Sequence, residues 1–196
     1  MDNGLSLPLA VVDNASTTEV AYCSFENTET GNWSFTSGST VTDATSPTGA
    51  KAYSLGAISK SSLNSSQKYI LSYWQKTGAS VTITGGGTTS NSISGRVLNN
   101  WTYKEIMITG TSTIGISGSG SIDELRLYPA TAQMTSYTYD GLFRMVAQCG
   151  VNSTISYYEY DSFNRLIDIK DQYGNVIKVF EYNYGRSFKM GKYSTP

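Results

Sequence analysis

The chain has 196 residues, enough for one large β domain or a medium domain with an appendage. Only 15% of them are charged, and 14 Lys+Arg against 15 Asp+Glu leave a net charge of −1, which excludes the basic footprint of a nucleic-acid binder. There is no histidine, so the usual general base, the usual triad partner and the commonest metal ligand are all missing.

Residues 1–19 are polar around one apolar run, "LPLAVV", and read as a linker or edge segment. They lack the basic leader of a signal peptide, so an export signal is expected elsewhere, in a larger protein of which this chain is a piece. No stretch reaches the roughly 18 apolar residues of a membrane-spanning helix. From Val20 the texture becomes that of short strands divided by Gly, Ser and Thr turns. "VAYCSF" is a strand, and "GSTVTDATSPTGAKAYSL" is two strands around the turn Ser46-Pro47-Thr48-Gly49. "KYILSYWQK" alternates Tyr69, Leu71 and Tyr73 against Ile70, Ser72 and Trp74, so large groups stand on both faces and the strand is expected to be covered on both sides or to line a groove. "SVTITGGGTTSNSISGRVL" reads as a hairpin turning at Gly85-Gly86-Gly87. "WTYKEIMITG", "TIGISGSG" and "SIDELRLYP" complete the set, and Pro129 ends it. Without helical periodicity, residues 20–129 predict an all-β jelly-roll sandwich. The cysteines, Cys23 and Cys149, are expected to be free, packed thiols.

After Pro129 a repeat begins. "YTYDGLFRMVAQCG" at Tyr137 and "YEYDSFNRLIDIKD" at Tyr158 lie 21 positions apart, and a weaker copy follows at Tyr182-Asn183. Each copy reads as strand, turn, strand, turn, which predicts an antiparallel meander of hairpins over 130–185 and a tail over 186–196. Asp140 and Asp161 bond forward onto their turns' N–H groups. The late turn position needs a positive φ, which Asn164 tolerates. Phe143 would cost about 1–2 kcal/mol there. The first turn is therefore expected to differ, with Gly141 taking the left-handed role. Tyr158, Tyr160 and Phe180 form an apolar face that needs a neighbour, either the sandwich or a second chain.

Tyr160, Asp161, Arg165, Leu166, Asp171, Gly174 and Asn175 resemble the tyrosine-aspartate pattern of Rhs/YD repeats, the hairpin repeats of large bacterial surface and secreted proteins, with Asn164 in place of the usual glycine. "SFENTETGNW", "KYILSYWQK" and "IDELRLY" are similar to strands of carbohydrate-binding modules with the galactose-binding-like jelly roll. The two in series look like the C-terminal part of giant surface proteins of Bacteroidetes. These resemblances imply an extracellular or cell-surface location and a non-catalytic binding or adhesion module. They also leave open a purely structural spacer or cap of a YD-repeat assembly. The jelly-roll resemblance implies a structural calcium held by Glu26 and Asp123. A carbohydrate would need an aromatic platform. Trp74, on a central strand, is the first candidate, and Tyr103 and Arg96 are secondary ones.

Catalysis is not expected. Asp123 and Glu124 should point to opposite faces of a strand and so could not act on one bond. "ITGGGTTS" lacks the lysine and helix of a phosphate loop. A hydrolase reading would require close carboxylates lining a cleft.

Overall fold

The computed structural model of this chain describes residues 7–85 and 89–182, with the backbone alone at 89–92. Apart from one 3-10 turn at Thr17–Glu19, its regular structure is strand. In chain order these are β1 (Ala10–Asp13), β2 (Ala21–Cys23), β3 (Ser34–Phe35), β4 (Gly38–Thr42), β5 (Lys51–Leu55), β6 (Ile58–Lys60), β7 (Lys68–Lys76), β8 (Ser80–Thr84), β9 (Thr89–Leu98), β10 (Trp101–Thr109), β11 (Ile114–Ser119), β12 (Ser121–Pro129), β13 (Gln133–Tyr139), β14 (Met145–Cys149), β15 (Ile155–Tyr160), β16 (Leu166–Lys170) and β17 (Val176–Val179). Their pairings are antiparallel.

Three sheets result: a central one ordered β4-β5-β12-β7-β10-β9 with β2 added to β12, a second ordered β3-β6-β11-β8, and a third ordered β1-β13-β14-β15-β16-β17. The chain passes back and forth between the first two, leaving the central sheet for β3, β6, β8 and β11 and returning after each, which is the winding of a jelly roll. One expectation fails here. β8 and β9 are not a hairpin, because β8 pairs with β11 and β9 with β10. The glycine run joins two sheets instead, and Gly86 and Gly87 lie outside the described residues. β9 and β10 turn through Asn99 and Asn100 at φ 45° and 69°, the two left-handed residues that a tight hairpin needs.

β7 shows why the layers stack as they do. Tyr69, Leu71 and Tyr73 enter one apolar core with Ile106, Ile108, Ile114 and Ile116, between the central and second sheets. Trp74, on the opposite face, enters another with Trp101, Tyr103, Ala147, Cys149 and Ile155, between the central and third sheets. A smaller cluster of Tyr22, Tyr128 and Met134 extends that second seam. Each fully buried Leu or Ile contributes about 2 kcal/mol, so both faces of the central sheet are held. The hairpins pack through Ala147, Cys149 and Ile155. The face expected from the sequence, that of Tyr158 and Tyr160, is the other one.

The hairpin turns share one geometry. Phe143 N–H donates to Asp140 O, Ser153 to Gly150, Asn164 to Asp161 and Gly174 to Asp171, and all four donors have a positive φ, from 59° to 86°. This is a type I turn closed by a left-handed residue. The turn at Phe143 therefore does not differ: Phe143 adopts φ 61°, and Gly141 is not the left-handed residue. Asp140 Oδ1 accepts from the Leu142 and Arg144 amides, and Asp161 and Asp171 do the same in their own turns. Those bonds fix the turn whatever side chain follows.

Candidate functional site: a buried acid pair and the groove beside it

β12 has a gap on its outer edge. β5 pairs with Ser121–Ile122 and β2 with Leu125–Leu127, which leaves Asp123 and Glu124 between them. The register with β7 slips at the same place, and Glu124 takes φ 52°. This bulge turns both carboxylates toward one side. Thr48 Oγ1 donates to Asp123 Oδ2 at 3.0 Å and approaches Glu124 Oε2 at 3.4 Å. The expectation that they point to opposite faces is thus corrected: an unbulged strand alternates, and this one does not. Their burial, 0% and 1% exposed, keeps them from lining a cleft.

The surrounding groups satisfy the acids. Asp123 accepts from Ser46 Oγ at 2.8 Å, from the Thr48 amide at 2.9 Å and from the Glu124 amide at 2.7 Å. Glu124 accepts from Tyr22 OH at 2.9 Å and from Ser136 Oγ. Burial, reinforced by the charge of Glu124, pushes the Asp123 carboxyl well above the usual range. Burial also raises Glu124, and Arg126 pulls it partly back. Arg126 itself crosses the seam, donating to Met134 O at 2.5 Å and Cys149 Sγ at 3.1 Å. Tyr157 OH donates to Pro47 O at 2.9 Å from the hairpin side. Together these polar contacts bolt the third sheet to the jelly roll.

Trp74 is fully buried, edge-on to Tyr103 at 5.6 Å, and its indole N–H finds no partner among the described residues. Covered by β14 and β15, it offers no face to a sugar ring. Tyr103 is buried too, its hydroxyl shared between Glu105 at 2.7 Å and Ser153 at 2.8 Å. Arg96 donates to Ser153 O, to Asn152 O at 3.1 Å and to Gln172 Oε1 at 3.1 Å. It clamps two hairpin turns. These three residues meet on the seam and not on an open surface.

Glu26 and Asp123 flank the 46–51 segment. Glu26 Oε1 accepts the amides of Ala50 at 2.9 Å and Lys51 at 2.6 Å, and Lys51 Nζ returns to Glu26 O at 2.7 Å. Burial raises the Glu26 carboxyl. Both acids face N–H and O–H donors, so a calcium between them would have to displace these bonds. Among the described residues no three His, Cys, Asp or Glu side chains cluster as a metal site. Cys23 and Cys149 are free and buried, and burial pushes both thiols up to about 12.

Beside the acid pair lies an open groove of about 1230 Å³. Glu26, Glu29 and Lys51 line it from the jelly roll; Tyr139, Phe143, Tyr157 and Tyr158 line it from the hairpins. The sequence hinted at it only through Phe143, the residue that breaks the repeat. No family model matches the chain, and no curated protein matches it.

Proposed function

We propose that the chain is a non-catalytic module of a larger bacterial surface or secreted protein, in which a jelly roll of carbohydrate-binding type seats a sheet of YD-type hairpins. The observation that carries this reading is the loss of burial along the third sheet. Met134, Ser136 and Thr138 are buried in β13, and Ala147 and Cys149 in β14. β15 buries Ile155 alone, β16 is half-buried throughout and β17 is exposed throughout. The seam thus belongs to the first hairpin strands. Beyond it the sheet relies on its own repeated bonds. Tyr160 OH donates to Met145 O at 2.9 Å, and Tyr182 OH repeats this with Leu166 O at 2.8 Å. Arg144 stacks on Tyr160 at 4.9 Å, and Arg165 on Tyr182 at 4.5 Å.

An isolated hairpin is marginal in water. A base that buries the first strands supplies the start, and each later strand adds to a formed edge. The structural reading gains weight from the burial of Trp74, which removes the platform that saccharide binding on the central sheet would use. The burial of Asp123 and Glu124 speaks against a hydrolase in the same way.

Amide hydrogen exchange on the full chain tests the seat. Protection should equal that of the jelly-roll core in β13 and β14, then fall stepwise through β16 to β17. Uniformly fast exchange in β13–β17 beside a protected jelly roll would refute it.

A further inference from the structure

The seam between the central and third sheets leaves buried donors without acceptors. Ser72, Trp74 and Arg126 are all 0% exposed. Ser72 lies opposite Arg126 in the β7–β12 pairing, and Trp74 follows two positions along β7, where strand alternation returns the side chain to the same face. The Trp74 indole N–H and the Arg126 Nε–H find no partner among the described residues. Both groups can only donate, so each needs an acceptor. Ser72 Oγ, which faces the Tyr103 hydroxyl without a close bond to it, has lone pairs free to accept. Buried polar groups are nearly always satisfied, by protein or by ordered water. The rest of Arg126 is engaged, Nη1 with Cys149 Sγ and Nη2 with Met134 O, so β13 and β14 close over the two orphan donors.

Charge decides which acceptor fits. The seam buries Asp123, Glu124 and Arg126, and Arg126 makes no direct ion pair among the described residues. Burial raises both carboxyls, and Arg126 acts on Glu124 from a distance and pulls it partly back. Two neighbouring buried acids do not both ionise beside one guanidinium, so the pair keeps one proton and its remaining charge cancels Arg126. An anion at Arg126 Nε would leave the seam one negative charge in excess. A neutral acceptor leaves it balanced, and its own hydrogens can go to Ser72 Oγ. The ligand that accepts, donates back and fits a closed seam is water.

We propose that the seam contains a built site for ordered water, lined by Trp74 Nε1, Arg126 Nε and Ser72 Oγ. The third sheet is then seated on the jelly roll partly through water. The site rests on that seating, because β13 and β14 enclose it, and it makes no use of a saccharide or of the repeat family.

Diffraction from crystals of the full chain, grown once without halides and once in sodium bromide, tests it. Without halides, density for a single oxygen should lie within about 3.2 Å of Trp74 Nε1 or Arg126 Nε, and of Ser72 Oγ. In bromide the anomalous map should show no peak there. A bromide peak at Arg126 Nε would make the ligand an anion, and a seam without oxygen density would make it dry. Either result overturns the water site and leaves the hairpins seated. Crystals in which β13 and β14 lie away from Trp74 would overturn the site and the seating together.

Discussion

Asp123 and Glu124 are adjacent in the chain and share Thr48 in space only because Glu124 adopts a left-handed φ of 52°. Nothing in "SIDELRLYP" signals that slip, since glutamate is not a left-handed residue by preference. A gap in the neighbouring strands creates it, and gaps are set by tertiary pairing. Phe143 is the reverse case: its oddity is visible in the repeat, but the aspartate bonds that force the turn outweigh its side-chain preference. These residues also set the pH response. Asp123, Glu124 and Glu26 have raised carboxyl values in the fold, so their contribution is full below the unfolded value near 4 and is lost as pH rises through the folded values. Asp140 is the opposite. Burial raises it, but the bonds from Arg144 and Leu142 outweigh that and hold it low. Asp161 and Asp171 are lowered by the same turn bonds, led by Arg165 and Asn175 respectively. Their contribution is present above about 4 and is lost as pH falls through the folded values. Stability from denaturant melts should therefore rise as pH drops from about 7 to about 5, then fall below about 4. A flat profile from neutral to mildly acidic pH would contradict the buried-acid account.

At the scale of elements, strands were legible wherever apolar residues alternate. "KYILSYWQK" shows large groups on both faces, and the structure covers both. The 21-residue period was legible as well, though the turn geometry recurs at twice that frequency, because Ser153 and Gly174 serve the intervening turns. Pairing partners were less legible. The glycine run after β8 looks like a hairpin, yet β8 and β9 enter different sheets, since turn composition does not say which strand comes back alongside. Arg96 shows how a residue picked for one role serves another. Its bonds to Ser153 O, Asn152 O and Gln172 tie β9 to two hairpin turns. Arg96→Ala should cost about 1.5–3 kcal/mol and speed exchange at the 150–154 and 171–175 turns. Unchanged exchange at both turns would show that the clamp holds nothing.

At the scale of the whole molecule, the chain is a two-sheet jelly roll carrying a third sheet whose first strands are buried and whose last is exposed. The all-β class was readable from texture. The third layer is readable only as a need, an apolar hairpin face without a partner, and it is the opposite face, that of Ala147, Cys149 and Ile155, that meets the jelly roll. Ala147 and Cys149 are too small and too few to announce a seam, and its polar bolts come from residues far apart in sequence, such as Arg126 with Met134 and Tyr157 with Pro47. β1, from the opening segment, completes the sheet beside β13. The hairpins are seated on the jelly roll rather than tethered to it, and Cys149 sits on that seam, buried against Arg126. In a Cys23→Ala variant it is the single thiol, and its labelling rate in native buffer reads the opening of the seam alone. The account predicts labelling no faster than global unfolding measured under the same conditions. Labelling many times faster, with the jelly roll still folded, would mean that the third sheet lifts freely and is not seated.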